Sequence, residues 1–355
     1  MVMVFHFFNN NVYKEHFVEI FPTWLVNVLN EGWLGVHVFF VISGFVIANS
    51  VARYIATPKF ALIFGLRRGI RLEPPYWFTI FVWVALTFLS NIFLERTLGY
   101  PPLEQIISHI FYAQNILFSL NLSRYPDIIP VFWTLCLEVQ FYLFFVIQLA
   151  AIRLIRKPKG ASFCGVSVNA AVIILLVEAL ITTYLMNQSP VNSRHLPYSS
   201  PWFYLWWHMF AGGALLYFAH AKLIQAWPVC LLIAMQVGAS FLGTEFRSDM
   251  LAAAITETIF LLAINRNAMS KWLNGPIIQF LGKISYSLYL IHFVTGSRVL
   301  NLLHRFTPDN LLWAIITVIF VFVLSIAAAA FMFYFIEKPS IDFGIRVKKK
   351  YVDPL

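Results

Sequence analysis

The sequence predicts an all-α bundle that crosses a membrane about ten times, and three observations carry that expectation. Of the 355 residues, 60% are apolar and 12% charged, against about 25% charged in an ordinary soluble domain. The mean hydropathy is +0.75. Nine apolar runs reach roughly the length that a helix needs to cross the hydrocarbon core. No stretch alternates apolar and polar residues as a barrel strand does, and lipid admits only helices or closed barrels.

In chain order, Met1 to Phe8 is apolar but too short to cross, and reads as the end of a truncated first helix. The run 33–52 follows Gly32 and carries Ser43-Gly44, small residues that permit close helix approach. The run 74–95 opens on Pro74-Pro75-Tyr76-Trp77. Residues 105–120 are apolar but broken by His109, Gln114 and Asn115, the pattern of an interfacial or re-entrant piece. Runs at 130–152, 168–187, 202–221, 227–243, 249–265, 277–300 and 311–336 complete the set. One integral-membrane domain over 1–345 is expected, then a basic cytoplasmic tail over 346–355, whose Lys348, Lys349 and Lys350 suit anionic lipid headgroups. No internal repeat, Gly/Ser-rich linker or cleavable signal peptide is evident.

The net charge of +9 is distributed as topology, not as a nucleic-acid surface. Eighteen of the 25 basic residues fall in 53–71, 153–165, 220–226, 266–283 and 338–355. The other seven are Lys14, Arg96, Arg124, Arg194, Arg247, Arg298 and Arg305. That excess puts the first group in the cytoplasm, with both termini inside and the chain multi-pass in the cell's inner (plasma) membrane. Cys136, Cys164 and Cys230 lack disulfide or metal spacing, and Cys136 and Cys230 read as packing residues. Glu104, Asp127, Glu245 and Asp249, in the outer connections, are not clustered, so no metal site is expected.

One carboxylate, Glu138, lies in the otherwise apolar and aromatic run Val131 to Ile152, flanked by Gln140 and Tyr142. An acid inside a membrane costs at least about 2.5 kcal/mol, so such residues face cavities and mark chemistry or transport. His6 reads either as an interfacial histidine or as a general base, since its ordinary pKa suits proton abstraction from a hydroxyl. Arg68 and Arg71 share a helix face and form a pair of guanidinium forks suited to phosphates, or equally a positive-inside anchor. His37 is a second proton-handling group or a hydrogen-bonded interfacial residue. Tyr286, Tyr289 and His292 follow at i, i+3 and i+6, as cavity lining or as interhelical hydrogen-bonding groups. His37, Ser43, Trp133, Tyr142, Tyr286 and His292 are the candidates for lining a polar cavity.

Five segments in order resemble the membrane acyltransferase 3 family, over essentially the whole chain. They are Gly-x-x-Gly-Val-x-x-Phe-Phe-x-x-Ser-Gly-Phe at 32–45, Arg-x-x-Arg-x-x-Pro-x-Tyr at 68–76 and Trp-Thr-Leu-x-x-Glu-x-Gln-Phe-Tyr at 133–142. Ile-Ser-Tyr-Ser-Leu-Tyr-Leu-x-His at 284–292 and Ile-Glu-Lys-Pro at 336–339 complete the series. The resemblance implies an integral-membrane O-acyltransferase. His6 would be the essential base, Arg68, Arg71 and Tyr76 would engage the acyl donor, and Glu138 is the acid of the third motif. Two departures stand out: the family's basic residue eleven positions before the histidine would precede Met1, which suggests a misplaced start, and His37 and Thr134 stand where aspartate and serine are common.

The function expected is transfer of an acyl group, acetyl in the first instance, from cytoplasmic acyl-CoA to a hydroxyl of a surface glycan, lipid-linked sugar or small metabolite. Acyl-CoA is then a co-substrate, no bound cofactor is expected, and the partners are lipid, donor and acceptor. Glu138 would orient His6 as the acid of a catalytic triad orients its histidine. The alternative is a multi-pass transporter or exporter of an acylated metabolite; the repeats and broken helices of such proteins are not visible in the sequence.

Overall fold

Six stretches of the computed structural model are helical, long and apolar enough to cross a membrane: Thr23–Val51, Pro58–Phe93, Trp133–Ile155, Val168–Gln188, Ser248–Asn265 and Leu311–Arg346. The pair Pro276–Lys283 and Ser285–Leu303, bent by 66°, makes seven if it is one broken span. The structure describes residues 1–9, 11–93, 98–124, 127–155, 162–188, 202–243 and 245–351, with the backbone alone for 347–351. Arg96, Arg156, Lys157, Lys159 and Arg194, all used in the charge count, lie outside the described residues, as does 352–355 of the tail.

The helices are α1 (Val2–Asn9), α2 (Lys14–Ile20), α3 (Thr23–Asn30), α4 (Gly35–Val51), α5 (Pro58–Phe93), α6 (Leu103–Ile110), α7 (Gln114–Ser119) and α8 (Trp133–Ile155). After a two-residue hairpin, Ser162–Phe163 with Val166–Ser167, come α9 (Val168–Gln188), α10 (Trp207–His220), α11 (Trp227–Leu242) and α12 (Ser248–Asn265). The chain closes with α13 (Pro276–Lys283), α14 (Ser285–Phe293), a π-turn at Val294–Arg298, α15 (Val299–Leu303), α16 (Leu311–Met332), a second π-turn at Phe333–Glu337, and α17 (Lys338–Tyr351). The architecture is all-α as expected, with six or seven spanning lengths among the described residues rather than ten. At 1.5 Å per residue, the 14 residues of α10 reach about 21 Å, short of the ~30 Å core.

Three local features position the site. Helix α5 begins sixteen residues before the expected start at Pro74, continues through Pro74 and Pro75, and so carries its arginines on a single 36-residue rod. Each proline removes a helix hydrogen bond, here to the Ile70 and Arg71 carbonyls; close by, Tyr286 Oη donates to Leu72 O (2.8 Å) and ties α5 to α14. Second, the α6–α7 segment turns its apolar Leu103, Ile107 and Phe111 outwards and buries Gln105, Ser108 and His109. Tyr112 reaches Tyr76 in mid-α5 (ring centroids 5.3 Å). Third, α4 and α10 meet backbone to backbone, because a Cβ on Gly44 would collide with the Phe210 carbonyl.

Cys136 is buried as expected, whereas Cys230 is exposed on α11. The connection 53–71, expected as a loop, is mostly the first turns of α5.

Candidate active site

The arginines of α5 stand where two spaces meet. A recess of about 170 Å³ at the surface is lined by Arg67, Arg68, Arg71, Ser50 and Gly344. A cavity of about 410 Å³ runs between α4, α5, α8 and α14, and Arg68 and Arg71 line it too. Its other walls include Ser43, Glu138, Tyr286 and Tyr289, and it extends to Val2 and Gly35 at the start of α1 and α4. The wall from α4 is an apolar row, Phe39, Ile42 and Val46, spaced on one helix face. The lining therefore suits a largely neutral chain with charge held at one end.

Each arginine is held differently. Arg67 Nε donates to Gly344 O on α17 at 3.4 Å. The Arg68 guanidinium lies over the rings of Phe64 and Tyr142, at 5.4 and 5.9 Å. Arg71 Nη2 approaches the buried Glu337 Oε1 at 3.8 Å, and its Nε is buried with no hydrogen-bond partner. Glu138 accepts a hydrogen bond from Ser43 Oγ (3.1 Å), and its cationic neighbours are Arg68 and Arg71.

His6 lies one turn beyond Val2 on the same face of α1. Its ring meets His292 (centroids 5.4 Å) and Phe293 (5.3 Å). His292 Nδ1 faces the carbonyls of Tyr289 (2.7 Å) and Leu288 (3.1 Å), which only an N–H satisfies, so the neutral ring presents Nε2 as an acceptor. That Nε2 is buried without a hydrogen-bond partner. Phe7 fixes α1 here, because its ring fills the space where a Gly296 Cβ would lie. Gly296→Ala should therefore displace α1, costing about 1–3 kcal/mol and lowering Tm by several degrees in a melt of the solubilised protein.

The structure shows Glu138 hydrogen-bonded to Ser43 and His6 in ring contact with His292; the expectation that Glu138 orients His6 stays a proposal. Of the candidate lining residues, Ser43 and Tyr286 line the cavity. His37 lies on the opposite face of α4, buried against Trp33 and Trp206 (5.1 and 5.4 Å). Trp133 packs on Phe40 and Trp206, Tyr142 lies by Arg68, and His292 sits behind Tyr289. Tyr76 packs against Phe132 (4.4 Å) and lines neither space. Thr134 lines the cavity, and its hydroxyl pairs with Tyr289 Oη at 2.6 Å, as a serine hydroxyl could.

Sequence reasoning missed three buried polar groups. Arg247, counted with an outer loop, is bidentate on Asp249 (3.0 and 2.8 Å) and donates to Met186 O (2.6 Å). Glu257 is wholly buried with Gln236 Nε2 on its Oε1 (3.2 Å). Glu337 had a signal in the Ile-Glu-Lys-Pro motif but was given no role. Among the described residues, no three histidine, cysteine or acidic side chains are grouped to hold a metal.

Residues 1–333 match the model of the family described as "Acyltransferase domain", Acyl_transf_3. The chain belongs to that acyltransferase family. Similar proteins include OatA of Listeria monocytogenes, named a peptidoglycan O-acetyltransferase, 22% identical over 341 residues, covering 87% of this chain and 51% of its own length. A protein of Staphylococcus aureus strain COL, provisionally named an O-acetyltransferase, is 26% identical over 337 residues, covering 90% of this chain and 54% of its own. The acyltransferase chain thus spans about half the length of the curated relatives it matches. No solved structure matches it.

Proposed function

We propose that this chain is a membrane O-acyltransferase that moves an acyl group, acetyl in the first instance, from acyl-CoA at the cytoplasmic face to a hydroxyl of an acceptor at the other face, a glycan foremost. The observation that carries the reading is that Arg68 and Arg71 line both the surface recess and the cavity, whose far end lies beside the helix bearing His6. A nucleotide's phosphates cannot enter lipid, but its pantetheine arm is neutral and slender. The recess arginines would hold the phosphates, and the arm would extend along Phe39, Ile42 and Val46. The names of the relatives, peptidoglycan O-acetyltransferase among them, favour a hydroxylated glycan as acceptor.

In the proposed step, His6 takes the acceptor's hydroxyl proton as that oxygen attacks the thioester carbonyl. The carbon–sulfur bond breaks, and the leaving sulfur receives the proton from His6. The unpartnered His292 Nε2 would accept a hydrogen bond from the imidazolium as it forms. The cytoplasmic C-terminus belongs to the same proposal.

The test is donor kinetics in membranes carrying the full-length protein. Arg68→Ala should raise KM for acetyl-CoA at least about tenfold, since charged hydrogen bonds to phosphate are each worth about 1.5–3 kcal/mol. Acetyl-pantetheine, which has no phosphate, should be used equally well by both proteins. Equal effects on the two donors would refute phosphate recognition by Arg68, and acceptor movement without thioester consumption would favour an exporter.

A further inference from the structure

Glu337 is buried and belongs to the Ile336-Glu337-Lys338-Pro339 motif, to which the reaction above assigns nothing. It ends the π-turn Phe333–Glu337. Pro339 has no N–H to give the Phe335 carbonyl, so the regular helix register fails there and one wider turn takes its place. That turn packs against α5. Glu337 Oε2 accepts from Ser287 Oγ on α14 at 2.7 Å, and Oε1 stands 3.8 Å from Arg71 Nη2 on α5.

The second distance is an ion-pair separation too long for a hydrogen bond. With Arg71 Nε buried and unpartnered, the guanidinium is attracted to one side but not saturated. Arg67, Arg68 and Arg71 crowd five residues of α5, and like charges at that spacing repel. The buried Glu138 on α8 lines the same cavity as Arg68 and Arg71, whereas Glu337 stands against Arg71. The arginines thus have carboxylates on two other elements, Glu138 on α8 and Glu337 at the π-turn.

We propose that Glu337 is a positioning residue for the acyl donor. It holds the Arg71 guanidinium at the junction of recess and cavity, with donors left over for a phosphate. Through Ser287 it also ties that arginine to α14, the helix that supplies Tyr286 and Tyr289 to the cavity wall and His292 to His6. This inference rests on the reading of Arg71 as a donor-phosphate ligand.

The experiment compares Glu337→Gln, Arg71→Gln and the double variant in the full-length protein, with acetyl-CoA and with acetyl-pantetheine. Glu337→Gln should raise KM for acetyl-CoA about tenfold, leave kcat within about twofold, and leave acetyl-pantetheine kinetics unchanged, the range expected for coupled neighbours. The double variant should be no worse than Arg71→Gln alone. Equal losses with both donors, or losses that multiply, would overturn the inference, because a merely structural role does not discriminate donors. If Arg71→Gln raises KM and Glu337→Gln does not, the donor site stands and the positioning role is wrong; if Arg71→Gln itself leaves KM unchanged, the donor reading of Arg71 fails and takes this role with it. Should Glu337→Gln not accumulate in membranes, Glu337→Asp keeps the charge while withdrawing it from Arg71, and the same donor-selective rise in KM is expected.

Discussion

His6→Ala should lower acceptor acylation by about 10²–10⁴-fold, the range a positioned general base contributes, while the protein accumulates and inserts normally. The packing of α1 makes this a clean test. Phe7 and Phe8 are buried, Phe7 against Gly296 and Phe8 in a cluster with Tyr13, Phe17 and Ala314, whereas His6 itself is only half buried. Truncating the imidazole therefore removes ring contacts with His292 and Phe293 without undoing the anchors of the helix. KM for acetyl-CoA should hardly move, since the arginines lie at the other end of the cavity. Transfer at the wild-type rate by His6→Ala would remove the assigned base, whatever the fate of the donor site.

The legible part of this chain was the part written in local pattern. Apolar runs and five ordered motifs gave the fold class, the family and part of the cavity wall (Ser43, Arg68, Arg71, Glu138 and Tyr286), because a membrane helix declares itself by composition alone. Pairings between helices were not legible. Depth along a helix says nothing of direction around it, so the sequence did not show that Glu138 shares a cavity with Arg68 and Arg71. His37 was misplaced for the same reason: three residues from Phe40 and two from Phe39, it belongs to the buried face of α4, opposite the cavity row. The start of α5 was missed because Pro74-Pro75 reads locally as a boundary, whereas the helix runs through both prolines. Arg247 and Asp249 looked like loop charges because their burial depends on Met186, distant in sequence.

Glu138→Gln should split the kinetic constants: kcat falls about a hundredfold while KM for acetyl-CoA stays level or drops. Gln has nearly the same shape and keeps an oxygen for Ser43 Oγ, so the change is chiefly the loss of one negative charge. Glu138 lines the cavity but not the recess, whereas Arg68 and Arg71 line both. On the proposed donor path, the carboxylate is thus the electrostatic stop beyond which phosphates are repelled and only the neutral arm continues. Two unit charges about 6 Å apart at an effective dielectric near 20 repel by about 3 kcal/mol, roughly a hundredfold in occupancy. Without that stop, phosphates can settle deeper against Arg68 and Arg71, so donor binding is retained or strengthened while the thioester misses His6. Glu138→Ala should add a second defect, lower abundance in the membrane, because it leaves a gap beside Ser43. Ser43→Ala, which spares the charge, should show neither effect at this scale. Measuring kcat and KM for acetyl-CoA across the three variants checks the argument: a Glu138→Gln enzyme with normal kcat would mean that the acid serves only to balance the arginines.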